Sequence, residues 1–162
     1  MRPYTNFTKK NCYHIVGKVP DLGWADMNPK EAWAFWLEVF NDLQADHQCT
    51  YRAFVMMTNH FHLLVDFHQS TSEFFLLQLR WKAVSQIPQL DLHSEQILGY
   101  PQYKITYEYI YQNPVNAGLV RDAFSYPYSS LQLLSGRQEL RCCFVDNMNL
   151  FHRPAQFPRY PK

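Results

Sequence analysis

Apolar positions along the chain change period several times, and each change marks an element. β-Branched and aromatic side chains in Tyr13-His14-Ile15-Val16-Gly17-Lys18-Val19 predict a first strand over 11–19. Ala32, Trp33, Phe35, Trp36, Val39, Phe40 and Leu43 then recur at helical spacing, which predicts an amphipathic helix over 29–46. Asn28 suits its N-cap, Pro29 its first position and Glu31 its first turn. Two strands follow, over 51–57 and 60–67, with Thr58-Asn59 as a turn or bulge between or within them. Ser70 or Thr71 can cap a second helix with an apolar stripe of Phe74, Phe75, Leu77, Leu79 and Val84, closed by Pro88. A further strand is expected near Gln102-Tyr103-Lys104-Ile105-Thr106 or just before it. A helix over 107–113 comes next, ended or kinked at Asn113-Pro114, and then a turn at Ala117-Gly118.

This order predicts an α+β fold of the ferredoxin-like kind. Two helices cover one face of an antiparallel sheet, the other face is open, and a C-terminal tyrosine-bearing helix follows. Residues 1–136 read as one domain. Beyond them Arg137, Arg141, Arg153, Arg159 and Lys162, spaced by Pro154, Pro158 and Pro161, form a basic tail. The tail is either part of the domain or extended, tied down by a ligand or by Phe144, Phe151 and Phe157.

The chemistry begins in Thr58-Asn59-His60-Phe61-His62-Leu63-Leu64-Val65. Side chains alternate along a strand, so His60 and His62 share one sheet face and Phe61 and Leu63 take the other. Buried imidazoles need partners for their ring nitrogens. A hydrogen-bonded pair of core histidines meets that need, and so does a half-site for a divalent cation.

Composition narrows the partners. A net charge of +1 argues against a strong, sequence-blind grip on duplex DNA, because such affinity grows with the phosphates neutralised. Phe, Tyr and Trp make up 17% of the chain; most must be core, and a few at a groove would suit unpaired bases. Neither a signal-peptide-like run nor an apolar stretch long enough to span a membrane is visible, so a cytoplasmic protein is expected. Cys12, Cys49, Cys142 and Cys143 lack zinc-type spacing and read as free thiols, two of them in strands.

A second segment decides between the readings of the histidines. Tyr107-Glu108-Tyr109-Ile110-Tyr111-Gln112-Asn113-Pro114-Val115 is followed by Tyr126-Pro127-Tyr128-Ser129-Ser130. With Met57-Thr58-Asn59-His60-Phe61-His62, it resembles the single-tyrosine HUH transposases, and within them the REP-associated tyrosine transposase branch. The resemblance covers roughly residues 12 to 133. It implies that Tyr109 is the nucleophile, and that His60, His62 and Asn113 hold Mg²⁺ or Mn²⁺. Residues four apart on a helix share a face, so Tyr109 and Asn113 can converge on one spot.

The implied reaction cleaves and rejoins single-stranded DNA at hairpin-associated sites through a 5′-phosphotyrosine ester, by a monomer or homodimer. Phenols titrate near ~10, so attack at neutral pH calls for a nearby cation. A domesticated protein that binds single-stranded or hairpin DNA with little turnover is the alternative; a small metal-dependent hydrolase unrelated to nucleic acid is a third reading. Tyr107 and Tyr111 are rival nucleophiles, but their spacing turns them from Tyr109 toward the core. His14 either reaches the site or is a satisfied structural histidine, and His68 reads as a turn residue. Arg80, Trp81 and Lys82 on the second helix either contact DNA, pairing phosphates with a stacking ring, or form a solvated face with one core tryptophan. Lys18, with Lys9 and Lys10, is a further phosphate candidate.

Overall fold

The computed structural model describes residues 11–20, 23–24, 26–136 and 144–145. Four strands, β1 (Cys12–Lys18), β2 (Cys49–Met56), β3 (His60–Phe67) and β4 (Asp91–Gln96), form one sheet in the order β2-β3-β1-β4, and every neighbouring pair is antiparallel. Helices α1 (Pro29–His47), α2 (Ser72–Ala83) and α3 (Tyr100–Asn116) interleave with them, followed by a 3₁₀ turn (Ala123–Ser125) and the short α4 (Leu131–Leu134). This is the ferredoxin-like α+β arrangement. The basic tail lies outside the described residues, as do Lys9, Lys10, Cys142 and Cys143, except for Phe144 and Val145. Phe144 bridges to Tyr51, and its ring packs on Tyr51 and Phe54.

The helix starts are set locally. The Asn28 side chain accepts from the backbone N–H groups of Lys30 and Glu31, both at 3.0 Å, while Glu31 accepts from the Asn28 N–H at 2.9 Å. This capping box satisfies donors that the first turn of α1 leaves bare. Thr71 does the same for α2 through the Phe74 N–H.

One face of the sheet carries the larger core. Ile15, Phe54, Phe61, Leu63 and Val65 pack against Trp36, Phe40 and Leu43 of α1 and Phe75 and Leu79 of α2. The Phe61 ring lies over Gly17, its cross-strand partner, and is penned in by Trp36 at 4.7 Å and Phe40 at 5.6 Å. A Cβ at position 17 would collide with the ring edge of Phe61. Gly17→Ala is therefore expected to cost about 1–3 kcal/mol through forced repacking. Thermal melts should show it as a fall of about 2–4 °C per kcal/mol, and Phe61→Leu in the same chain should recover part of the loss.

Four expectations change. The fourth strand lies at Asp91–Gln96, while residues 102–106 fall inside α3. Helix α3 is longer than the expected 107–113, because Tyr103, Tyr107, Ile110, Tyr111 and Pro114 recur at helical spacing and bury one stripe on the sheet. Pro114 sits in its last turn, where it removes one N–H bond without ending the helix, and Gly118 at φ 73° follows the C-cap.

The second sheet face is accordingly not open. Cys12, Ala53, Val55 and Leu64 meet α3 in a core of their own. Finally, α2 buries Phe75, Leu79 and Ala83 but leaves Phe74, Leu77 and Val84 exposed. Trp81, at 75% exposure, belongs to no core.

Candidate functional site

Strand register assembles the site. Residues directly opposite on antiparallel strands share a face. His60 lies opposite Lys18, which lies opposite Asp91; His62 lies opposite Val16, which lies opposite His93; Leu64 lies opposite His14, which lies opposite Glu95. All of these belong to the face that α3 covers. Asp91, His93 and Glu95 escape the sequence reading because β4 was expected elsewhere. The polar alternation Asp91-Leu92-His93-Ser94-Glu95-Gln96 was the available signal.

Over this face α3 brings Tyr109. Its ring stands edge-on to His62 at 5.5 Å and to His14 at 6.3 Å, with the side chain 42% exposed. Tyr107 and Tyr111 are buried, as their spacing requires, and the Tyr111 hydroxyl pairs with Ser130 Oγ at 2.8 Å. Ser130 Oγ also accepts from the Phe54 N–H at 2.9 Å. Tyr126 donates to the Met56 carbonyl at 2.8 Å. The Tyr126-Pro127-Tyr128-Ser129-Ser130 segment thus closes the outer edge of β2 and ties α3 to the sheet, which fixes where Tyr109 stands.

The histidines differ in their bonding. His60 Nδ1 pairs with Asn59 Oδ1 at 2.9 Å. His62 Nδ1 pairs with His14 Nε2 at 3.0 Å, the two rings stacked at 25°. His62 Nε2 is buried without a hydrogen-bond partner. His47 shows what a satisfied buried histidine looks like here, with Ser70 on one nitrogen and Gln78 on the other. His68 is exposed past the end of β3 and bonds Thr50.

An orphaned ring nitrogen, beside a second imidazole and a phenol, fits a Lewis acid. Among the described residues no group of three His, Cys, Asp or Glu side chains is arranged to hold a metal ion. Asn113 donates its amide N–H to the Tyr109 carbonyl at 3.3 Å, and that bond does not engage Oδ1. Its link to the site runs through α3; the hydrogen bonds of His60 and His62 go to Asn59 and His14 instead.

The candidate contacts on α2 are not brought to this site. Arg80, Trp81 and Lys82 lie on the helix layer behind the sheet, and Lys82 is paired with Asp42 at 3.2 Å. Lys18, by contrast, ends β1 directly across from His60.

Burial holds the imidazoles neutral. Desolvation, then the charges of His14 and His60, pushes His62 down to about 3. Desolvation, then His93, lowers His14 to about 4. Desolvation, then Lys18, also lowers His60. An unfolded imidazole binds its proton near ~6.5. Below that value the unfolded chain takes up protons that the folded one refuses, so stability rises with pH across the gap. The contribution is complete above ~6.5 and is lost as pH falls through about 4 toward about 3. Melting temperatures between pH 8 and pH 4 should accordingly drop on the acid side, and His62→Leu should flatten that drop.

No helix among the described residues is long and apolar enough to cross a membrane. No family model matches the chain, and no curated protein does. Among solved structures the chain is similar to a REP-associated tyrosine transposase bound to a REP hairpin, with a TM-score of 0.68 and 13% identity over 91% of this chain and 94% of that one. The likeness is one of fold, and it runs through nearly the whole of both chains.

Proposed function

We propose that this protein is a single-tyrosine transposase of the REP-associated kind, which cleaves and rejoins single-stranded DNA beside a hairpin. One observation carries the reading: Tyr109 on α3 stands over His62, whose Nε2 is buried without a partner. The fold likeness to a transposase solved with a REP hairpin supports it from another direction.

The assignment of roles follows the chemistry of each group. Tyr109 Oη gives up its proton and attacks the scissile phosphorus, and the 3′-oxygen leaves with a proton to become a hydroxyl. The 5′ end stays on the chain as a phosphotyrosine ester. A second 3′-hydroxyl then displaces the tyrosine oxygen, so the strand is rejoined with no bond energy supplied from outside. His60, His62 and Asn113 would hold Mg²⁺ or Mn²⁺ as two neutral imidazoles and an amide oxygen. When bound, the cation supplies Lewis-acid polarisation of phosphate oxygens. Lys18 is assigned a phosphate contact beside His60. Arg80, Trp81 and Lys82, behind the sheet, take no part in this step.

Labelled single strands containing hairpins, incubated with the protein and Mn²⁺, test the reading. A denaturant-resistant protein–DNA adduct is the expected result. Binding without an adduct across many hairpin sequences would favour a domesticated DNA-binding protein. Cleavage products with free ends and no adduct would indicate a nuclease that uses water.

A further inference from the structure

His14 takes no part in the strand-cleavage scheme, yet from β1 it makes a polar contact to the histidine pair across the sheet. It lies opposite Leu64, so its ring leans along the sheet to the diagonal neighbour His62. There His14 Nε2 and His62 Nδ1 are 3.0 Å apart, in stacked rings whose centroids are 5.2 Å apart.

Two neutral imidazoles can place only one proton between those nitrogens. If His14 Nε2 supplies it, His62 must carry its own proton on Nε2, which is buried with no acceptor. If His62 Nδ1 supplies it, His62 Nε2 keeps a lone pair instead. Buried N–H groups without acceptors are the rarer kind of orphan in folded proteins, which favours the second arrangement.

We propose that His14 is a positioning residue: it accepts the Nδ1 proton of His62 and so keeps His62 Nε2 unprotonated, available as a Lewis base to a divalent cation. The cation's role rests on the proposed function, whereas the tautomer does not. His60 has the corresponding partner within its own turn, where Asn59 Oδ1 can accept only from a protonated Nδ1. With His14 in place, both histidines of the pair present the same nitrogen.

Long-range ¹H–¹⁵N spectra of the metal-free protein read the tautomer directly, and Mn²⁺ titration followed by electron paramagnetic resonance reads its consequence. The wild type should show His62 with Nδ1 protonated. His14→Phe should move His62 toward the Nε2-protonated form and weaken Mn²⁺ binding by about 10–100-fold, the usual effect of losing a partner behind a metal ligand. His14→Gln, whose amide oxygen can accept the same proton, should restore much of both.

A wild-type His62 protonated on Nε2 overturns the proposal. So does a His14→Phe variant that melts normally and keeps both the tautomer and the Mn²⁺ affinity. Should His14→Phe fail to fold, the wild-type tautomer decides the matter alone. If the tautomer depends on His14 but not even the wild type binds Mn²⁺, His14 still positions His62, and it is the metal-assisted cleavage reading that fails.

Discussion

Tyr109→Phe should reduce the covalent DNA adduct to background while leaving fold and DNA affinity almost unchanged. The substitution deletes one oxygen from a ring that is already 42% exposed, so no buried hydrogen bond is lost and no cavity forms. It also deletes the atom that would carry the phosphoester, and no hydroxyl of comparable position replaces it. The neighbouring tyrosines are the controls. Tyr107 and Tyr111 face the second core, their rings packed on each other at 5.0 Å. Tyr111→Phe should cost about 1 kcal/mol of stability, the worth of the hydroxyl's bond to Ser130 Oγ, and still form the adduct. A normal adduct from Tyr109→Phe, together with none from Tyr107→Phe or Tyr111→Phe, would mean the helix has been read in the wrong register. Full cleavage by all three would point to a water nucleophile.

How far the sequence spoke depended on how strongly each element is buried on one side. The His60-Phe61-His62 pairing of faces was legible because β3 is a central strand whose alternation is enforced by two cores. Helix α1 was legible to within a residue or two because its cap is built from its own side chains. Strand β4 was not, since an edge strand with polar residues on both faces is held by backbone pairing to β1 and carries little hydrophobic pattern. Displacing it led the reading to start α3 too late and to treat its sheet face as open.

Helix α2 was legible as a helix with its Thr71 cap, but not in which side it buries. Phe74-Phe75-Leu76-Leu77 is apolar all round a turn, so periodicity cannot choose which side is buried. Packing chose Phe75 and Leu79, and that choice put Arg80, Trp81 and Lys82 behind the sheet, away from Tyr109. The contact between His14 and His62 was beyond reach for another reason. It depends on the diagonal register of two strands that are far apart in the chain, and a single sequence carries no record of register.

The histidine pair gives the remaining large effect, and the two members should separate. Alanine at either His60 or His62 should lower adduct formation by at least about 10²-fold, the scale of losing a preorganised electrostatic contact in a reaction site, with DNA affinity largely kept. Stability should distinguish them. His60 is half-buried and bonds a neighbour one residue away, so His60→Ala should melt close to the wild type. His62 is 5% exposed and holds a ring nitrogen that nothing in the chain satisfies. Its removal opens a cavity and leaves His14 Nε2 without its partner, but also relieves a buried polar atom, effects of opposite sign. Filling the space with leucine keeps the relief and avoids most of the cavity. His62→Leu exchanges one orphaned ring nitrogen for another, on His14, and should therefore melt close to the wild-type temperature in metal-free buffer at pH 7 while forming no adduct. That combination, function lost and stability kept, is what a residue retained for chemistry produces. A leucine variant that melts well below the wild type would instead make His62 a structural histidine, and the cation site would have to be sought elsewhere on this face.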